Sequence, residues 1–259
     1  MSMLIDTHAH LDQAEFDSDR TSVLQRAQDA GVETMLAVGT TATSSARCVE
    51  LAAEFPLLRA AVGIQPNYVH EAAPEDWDKI VHLAERAEVV ALGETGLDRY
   101  WDFAPFELQQ DYFDRHLRLS QQTGLPVVIH LRDCEEDILA MLREARRRGP
   151  VAGVMHSYTG SIAGAAESVE LGLYISFAGM VTFKKSDELR ACAASVPADR
   201  ILIETDSPYL SPEPVRKIKR NEPAHVRHTA ARLAEVRGLS LEDFAALTTA
   251  NARRLFHFA

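Results

Sequence analysis

The sequence predicts an α/β protein, a single-domain (β/α)8 or TIM barrel spanning residues 1–259, on three observations. Eight short apolar runs alternate with longer amphipathic stretches, the pattern of strands laid parallel and joined by helices. The chain length is close to the ~250 residues typical of such a barrel. No linker, low-complexity tract or composition break divides it.

The runs fall at 3–7, 33–38, 58–63, 89–93, 126–129, 152–155, 173–176 and 200–204. Their length suits strands covered on both faces rather than helices. The segments between them carry helical signals: across 106–123, Leu108, Phe113, His116, Leu117 and Leu119 include apolar residues at helical spacing. Gly31, Gly124 and Gly149 follow three such segments, where a chain leaving a helix turns left-handed. A count of eight favours closure over an open doubly wound sheet, and no GxGxxG follows the first run.

Composition narrows the class. Hydrophobic residues make up 46% and charged residues 25%, as in globular proteins that fold in water. No apolar run approaches the ~20 residues of a membrane span, and Asp6 interrupts the only apolar stretch near the start. The expectation is therefore a cytoplasmic protein without membrane partners. Cys48, Cys134 and Cys192 are odd in number and lack CxxC spacing, which points to reduced thiols. With 27 basic against 38 acidic residues the formal charge is −11, so bulk electrostatics do not draw this chain to nucleic acid. A phosphate substrate would need bound cations and a local basic cluster.

Ligand-type residues recur at the C-terminal ends of the runs. His8 and His10 follow the first, Glu94 the fourth, His130 the fifth, His156 the sixth and Asp206 the eighth. In a closed barrel these ends meet at one mouth. His8 and His10, at i and i+2 of an extended segment, project to one side, and paired imidazoles suit Zn²⁺, Mn²⁺ or a similar ion. A lone histidine or carboxylate ending an apolar run reads as a hydrogen-bonded core residue, but several converging there read as a metal centre. Four imidazoles and two carboxylates exceed what one tetrahedral ion requires. The expectation is two divalent ions about 3.5–4 Å apart, bridged by Glu94, with Asp206 holding the attacking water as general base. Glu204, on the same strand face as Asp206, either orients a ligand or forms a barrel salt bridge.

The same residues lie in segments that closely resemble the TatD family of metal-dependent deoxyribonucleases. These are Asp6-Thr7-His8-Ala9-His10-Leu11-Asp12, Gly93-Glu94-Thr95-Gly96-Leu97-Asp98, Pro126-Val127-Val128-Ile129-His130-Leu131-Arg132-Asp133 and Glu204-Thr205-Asp206-Ser207-Pro208-Tyr209-Leu210. His156-Ser157-Tyr158-Thr159-Gly160, Arg220-Asn221-Glu222-Pro223 and Thr248-Thr249-Ala250-Asn251-Ala252 add to them, and the likeness runs from residue 3 to about 256. The resemblance implies a TIM barrel that hydrolyses phosphodiesters, typically as a 3′-to-5′ exonuclease on DNA, with Mg²⁺, Mn²⁺ or Zn²⁺. All six of its metal-ligand positions are filled here by the expected residue type.

Where the family pattern resembles Gly-Ile-His-Pro-His, this chain reads Gly63-Ile64-Gln65-Pro66-Asn67, and Ser157 stands where many relatives have Cys. Gln65 and Asn67 donate hydrogen bonds but cannot act as general acids. Gln65, Asn67, Arg132, Ser157, Tyr158 and Arg220 are the candidate substrate contacts, and Glu94 and Asp206 the catalytic pair. Arg216, Lys217, Lys219 and Arg220 form a basic stretch suited to gripping a phosphate backbone, to which Lys184 and Lys185 could belong, whereas Arg146, Arg147 and Arg148 close a helix and face water. Tyr68, Tyr100, Trp101, Phe103, Tyr158 and Phe183 near the ligand end either pack loops or stack on bases. The expected partner is DNA, single-stranded or at 3′ ends, met by a monomer. The alternative is an amidohydrolase or esterase acting on a small carbonyl substrate; relatives of that kind often bridge their metals with a modified lysine, where this chain has Glu94.

Overall fold

Parallel strands need a long crossover between each pair, and an amphipathic helix supplies it. In the computed structural model, which describes residues 3–258, this unit repeats around a barrel. The strands are β1 (Leu4–Ala9), β2 (Val32–Val38), β3 (Leu58–Val62), β4 (Val89–Asp98), β5 (Val127–Arg132), β6 (Gly153–Met155), β7 (Leu173–Phe177) and β8 (Ile201–Ile203). They pair in parallel in chain order. The helices are α1 (Arg20–Asp29), α2 (Ala42–Glu54), α3 (Asp76–Leu83), α4 (Phe106–Thr123), α5 (Glu135–Arg148), α6 (Ile162–Glu170), α7 (Asp187–Ser195), α8 (Val226–Val236) and α9 (Leu241–Phe256). None of them is long and apolar enough to cross a membrane.

Two apolar layers hold the barrel. An outer one lies between strands and helices, with Phe16, Phe113, Leu117, Ile138 and Phe244 among its members. The inner one is built from Ile5, Leu36, Ala61, Ala91, Val128, Val154, Tyr174 and Leu202, one from each strand in turn. Ala252, Leu255 and Phe256 of α9 pack against this inner layer and plug the end opposite the site. Asn251 of α9 donates to the carbonyls of Ala198 and Ile201, tying the plug to the start of β8.

The ring closes between β8 and β1 at the mouth. Asp206 N–H donates to His8 O at 2.9 Å and His10 N–H to Ser207 O at 2.7 Å. Below them, Thr7 Oγ1 donates to Ile203 O, and Asp6 accepts from both the amide and the hydroxyl of Thr205. Burial pushes the Asp6 carboxyl up to about 8, despite the hydrogen bonds from Thr205 and the His8 amide.

The structure alters two strand boundaries in ways that matter. The sequence reading ends the fourth strand at Gly93, whereas β4 runs on to Asp98 and pairs with β5 over Thr95–Ile129 to Asp98–Arg132. Gly93 has a φ of 127°, and a Cβ on the facing Gly63 would lie 2.5 Å from its Cα, so the backbones of β3 and β4 meet too closely for any side chain. His130 likewise lies inside β5, which continues to Arg132.

His116 of α4 anchors the mouth end of β3. Its ring is buried, Nδ1 donates to Tyr112 O at 2.7 Å, and Nε2 accepts the Ile64 N–H at 3.2 Å. Burial holds its pKa down to about 4, against the opposing Tyr112 carbonyl and with help from Arg115. An imidazole kept neutral in the folded state stabilises most above its unfolded pKa of 6.5, and that contribution disappears as the pH falls toward 4. The shift corresponds to roughly 3 kcal/mol at full effect. A His116→Gln variant, which keeps an acceptor but no titrating group, should lose stability less steeply between pH 6.5 and 4. Denaturant melts across that range check this; parallel slopes for the two proteins would refute it.

Candidate metal centre

Alternation along the strands sets which side chains enter the mouth. Val128 and His130, Val154 and His156, and Leu202, Glu204 and Asp206 share parity with the inner layer, so the polar members continue the inward column above the apolar ones. β1 and β4 achieve the same end differently. Ile5 and Ala91 face inward, yet His8, His10 and Glu94 lie at the opposite parity. Pairing register shifts between Asp6 and Ala9 and between Leu92 and Thr95, and each irregularity re-aims the next side chains into the mouth. Asp206, Ser157 and Asp133 turn the chain beyond the strands with φ of 54°, 44° and 54°. Such left-handed residues cost about 1 kcal/mol or more, and they cluster at functional sites.

These devices bring together all six sequence-read ligands, and Glu94 stands between them. Its Oε1 lies 2.9 Å from His130 Nδ1 and 3.1 Å from His156 Nε2. Its Oε2 lies 3.5 Å from His8 Nε2 and 3.7 Å from His10 Nε2. Asp206 Oδ1 faces the latter pair, 3.5 Å from His10 Nε2 and 3.8 Å from His8 Nε2. The two oxygens of one buried carboxylate thus divide the other ligands into two sets.

Outer partners decide which ring nitrogens carry protons. His10 Nδ1 donates to Val38 O at 3.0 Å, His130 Nε2 to Asp98 Oδ2 at 2.9 Å and His156 Nδ1 to Glu204 Oε1 at 3.3 Å. Each of those partners only accepts, so in a neutral ring the inner nitrogen is a lone pair. Lone pairs then face the carboxylate oxygens of Glu94, and His10 Nε2 sits 3.2 Å from His8 Nε2. Negative and lone-pair donors at this spacing require positive charge among them. Nitrogens about 2.0–2.1 Å from a tetrahedral ion lie roughly 3.3 Å from one another, so the spacing fits a metal. The donor sets His8, Glu94, His156 and His8, His10, Asp206 each fall within 4.8 Å.

Electrostatics in the metal-free protein carry the same mark. Burial would raise Glu94 and Asp206, but the surrounding imidazoles hold both below the usual carboxylate range. Burial would lower His10, His130 and His156, but the facing carboxylates raise all three, His10 to about 9. His8, caught between His156 and His10, is lowered by burial and by their charges.

The centre opens into a cleft of ≈ 1070 Å³. Of the sequence-read substrate contacts, Gln65, Asn67, Arg132 and Ser157 line it. Two others lie elsewhere. The Tyr158 ring is buried outside the cleft lining, with its hydroxyl on Glu135 and Ser161 O, because the loop after β6 folds down around that carboxylate. Arg220 lies outside it too, paired to both oxygens of Asp19 across the barrel seam. Phe183 and Lys185 line a smaller neighbouring pocket, and Arg216 lies over the Phe183 ring. Arg147 and Arg148 pair with Glu144 and Asp114, as a solvated helix end would.

Asp98 is the functional residue the sequence reading missed. Its side chain holds His130 through Oδ2, accepts from Asn67 there as well, and accepts the Tyr100 and Trp101 amides through Oδ1. Burial opposes the charge, but those donors, His130 foremost, keep its pKa at about 2. Its spacing of four from Glu94 was the available signal, masked by the early end assigned to the strand.

A family model described as TatD related DNase matches residues 5–257. The chain belongs to the TatD family. It is a metal-dependent hydrolase, and its relatives carry that description. It is 39% identical over 254 residues to the uncharacterized metal-dependent hydrolase YabD of Bacillus subtilis (strain 168), covering 98% of this chain and 99% of that one. It is 36% identical to the 3'-5' ssDNA/RNA exonuclease TatD of Citrobacter koseri, over 99% of this chain and 100% of that one. Among solved structures, YjjV, a TatD homolog from Escherichia coli K12, superposes with a TM-score of 0.93 at 31% identity, covering 99% and 98% of the two chains.

Glu204 accepts from His156 Nδ1 and from the Ser157 amide, so it fixes both a ring and the backbone beside it. Replacing Glu204→Gln should weaken metal binding about 10–100-fold, the usual effect of removing such a partner. Titration calorimetry with Mn²⁺ reads this directly, and an unchanged affinity would show that Glu204 is only a barrel residue.

Proposed function

We propose that the protein is a 3′-to-5′ exonuclease that hydrolyses phosphodiester bonds of single-stranded DNA, using two divalent ions, Mg²⁺, Mn²⁺ or Zn²⁺, which His8, His10, Glu94, His130, His156 and Asp206 would hold, with Glu94 shared between them. The division of the donors by the two oxygens of Glu94 carries the two-ion part of this reading. Two relatives named 3'-5' ssDNA/RNA exonuclease TatD support the substrate and polarity. A cleft of ≈ 1070 Å³, just above the usual ~300–1,000 Å³ of small-ligand pockets, suits a polymer end better than a compact metabolite.

When bound, the ions would supply a water acidified toward neutral pH and positive charge for the oxygens that gain negative charge. The chain's own groups do the rest. Of the two carboxylates, both of which line the cleft, Asp206 is the more open to it, its side chain 14% exposed against 4% for Glu94. Held ionised by His10 and its neighbours, it takes the proton of the attacking water as general base. Arg132, exposed at the end of β5, and the amide of Asn67 are placed to orient the phosphate oxygens. One chain contributes every residue named, as a monomeric enzyme requires.

The test is release of nucleotides from a 3′-labelled or 5′-labelled single strand with Mn²⁺ or Mg²⁺. EDTA should abolish it, and Asp206→Ala should lower kcat about 10²–10⁴-fold. Full activity in that variant would remove Asp206 as base. No cleavage of any DNA or RNA, with turnover of an ester or amide instead, would overturn the nuclease reading.

A further inference from the structure

We propose that the loop between β4 and α4 is a stacking platform for an unpaired nucleobase beside the linkage cut at the metal centre, so that it selects single strands; this rests on the nuclease reading above. Tyr100, Trp101 and Phe103 are 54%, 44% and 55% exposed, although each carries a ring large enough to repay burial. All three line the same cleft as His130 and Glu94. The Trp101 and Phe103 rings are stacked, 10° apart in plane with centroids at 5.2 Å. Tyr100 stands at 90° to Trp101, and the Arg132 guanidinium lies 3.9 Å over the Tyr100 ring.

The loop that shows these faces is tied down at its backbone. Asp98 Oδ1 accepts the amides of Tyr100 at 2.9 Å and Trp101 at 3.0 Å. Gln109 accepts from the Asp98 amide and donates to Ala104 O, spanning the loop from inside. Arg99 pairs with both oxygens of Asp137. The other oxygen of Asp98 holds His130 Nε2, so one carboxylate sets the platform and a metal ligand at fixed separation. Rigid, exposed aromatic faces beside a reactive centre are what a base needs in order to stack with little ordering cost.

Charge strengthens the case. A chain of net charge −11 gains little from bulk attraction to a phosphate backbone, so affinity for a strand must come from local contacts, among which stacking adds to the cations and Arg132 at the metal centre. In a duplex every base face except the outer face of the terminal pair is covered by its neighbours, whereas an unpaired base is free to turn a face onto Trp101 and Phe103.

The experiment compares a thymidylate oligonucleotide with one of equal length whose terminal residues are abasic. The variants are Trp101→Ala, Phe103→Ala, their combination and the conservative Trp101→Phe, all in the metal-loaded protein. Trp101→Ala should raise KM on the base-bearing strand about tenfold, with the loss concentrated in KM rather than kcat. The same variant should show no such penalty on the abasic strand, and Trp101→Phe should restore most of the affinity. Binding is read separately, by quenching of Trp101 fluorescence with phosphorothioate-linked thymidylate, a signal absent from Trp101→Phe. Cleavage with unaltered KM in the alanine variants would overturn the platform and leave the nuclease reading standing. Quenching by base-bearing strands alone, without cleavage, would support the platform and remove the nuclease reading. Neither quenching nor cleavage would sink both.

Discussion

A carboxylate buried among imidazoles is the constraint around which this molecule is arranged. Glu94 is 3% exposed and faces inward from β4, where an isolated charge would be costly. It is tolerable only because His130 and His156 meet one oxygen and His8 and His10 the other. Those rings come from three further strands, so the charge is compensated only when the barrel is closed. Outer partners complete the arrangement: Val38 O, Asp98 and Glu204 direct the ring protons outward and leave the inner nitrogens as donors for a cation.

Closure of the barrel and assembly of the site are consequently the same event. The backbone bonds that join β1 to the segment after β8 run through His8, His10 and Asp206 themselves. Asp6 and Thr205 secure that seam one step below the ligands. At the opposite end, α9 seals the inner apolar layer without any chemistry. Stability and function are thus weighted toward opposite ends of the barrel, as the fold favours generally, and they overlap at the seam.

Asp98 extends this coupling from the ligands to the cleft wall. A single side chain joins a ligand ring, the amide of Asn67 and the backbone of an aromatic loop. Where the sequence resemblance expects histidines, Gln65 and Asn67 form a different arrangement: Gln65 accepts the Asn67 amide and Asn67 donates to Asp98. Their amides remain hydrogen-bond donors facing the cleft, without a proton to transfer.

Much was legible in the sequence. Eight apolar runs named the barrel, because burial on both faces makes a strand uniformly apolar until it reaches the mouth, and the six ligand-type residues that follow those runs lie together there. The two-residue spacing of His8 and His10 correctly placed them together. Beyond that point local pattern loses its meaning. The irregularities in β1 and β4, which turn His8, His10 and Glu94 inward against their parity, depend on pairing with neighbouring strands. The continuation of β4 to Asp98 depends on β5, and Arg220 is drawn away from the cleft by Asp19, distant in sequence. Tyr158 is buried with its hydroxyl on Glu135 of the preceding helix, α5. The sequence by itself determined which residues have the chemistry to bind metal and roughly where each strand presents them. Only the tertiary structure decided which way each side chain points and what holds it, because both are set by hydrogen-bonding partners that lie far along the chain.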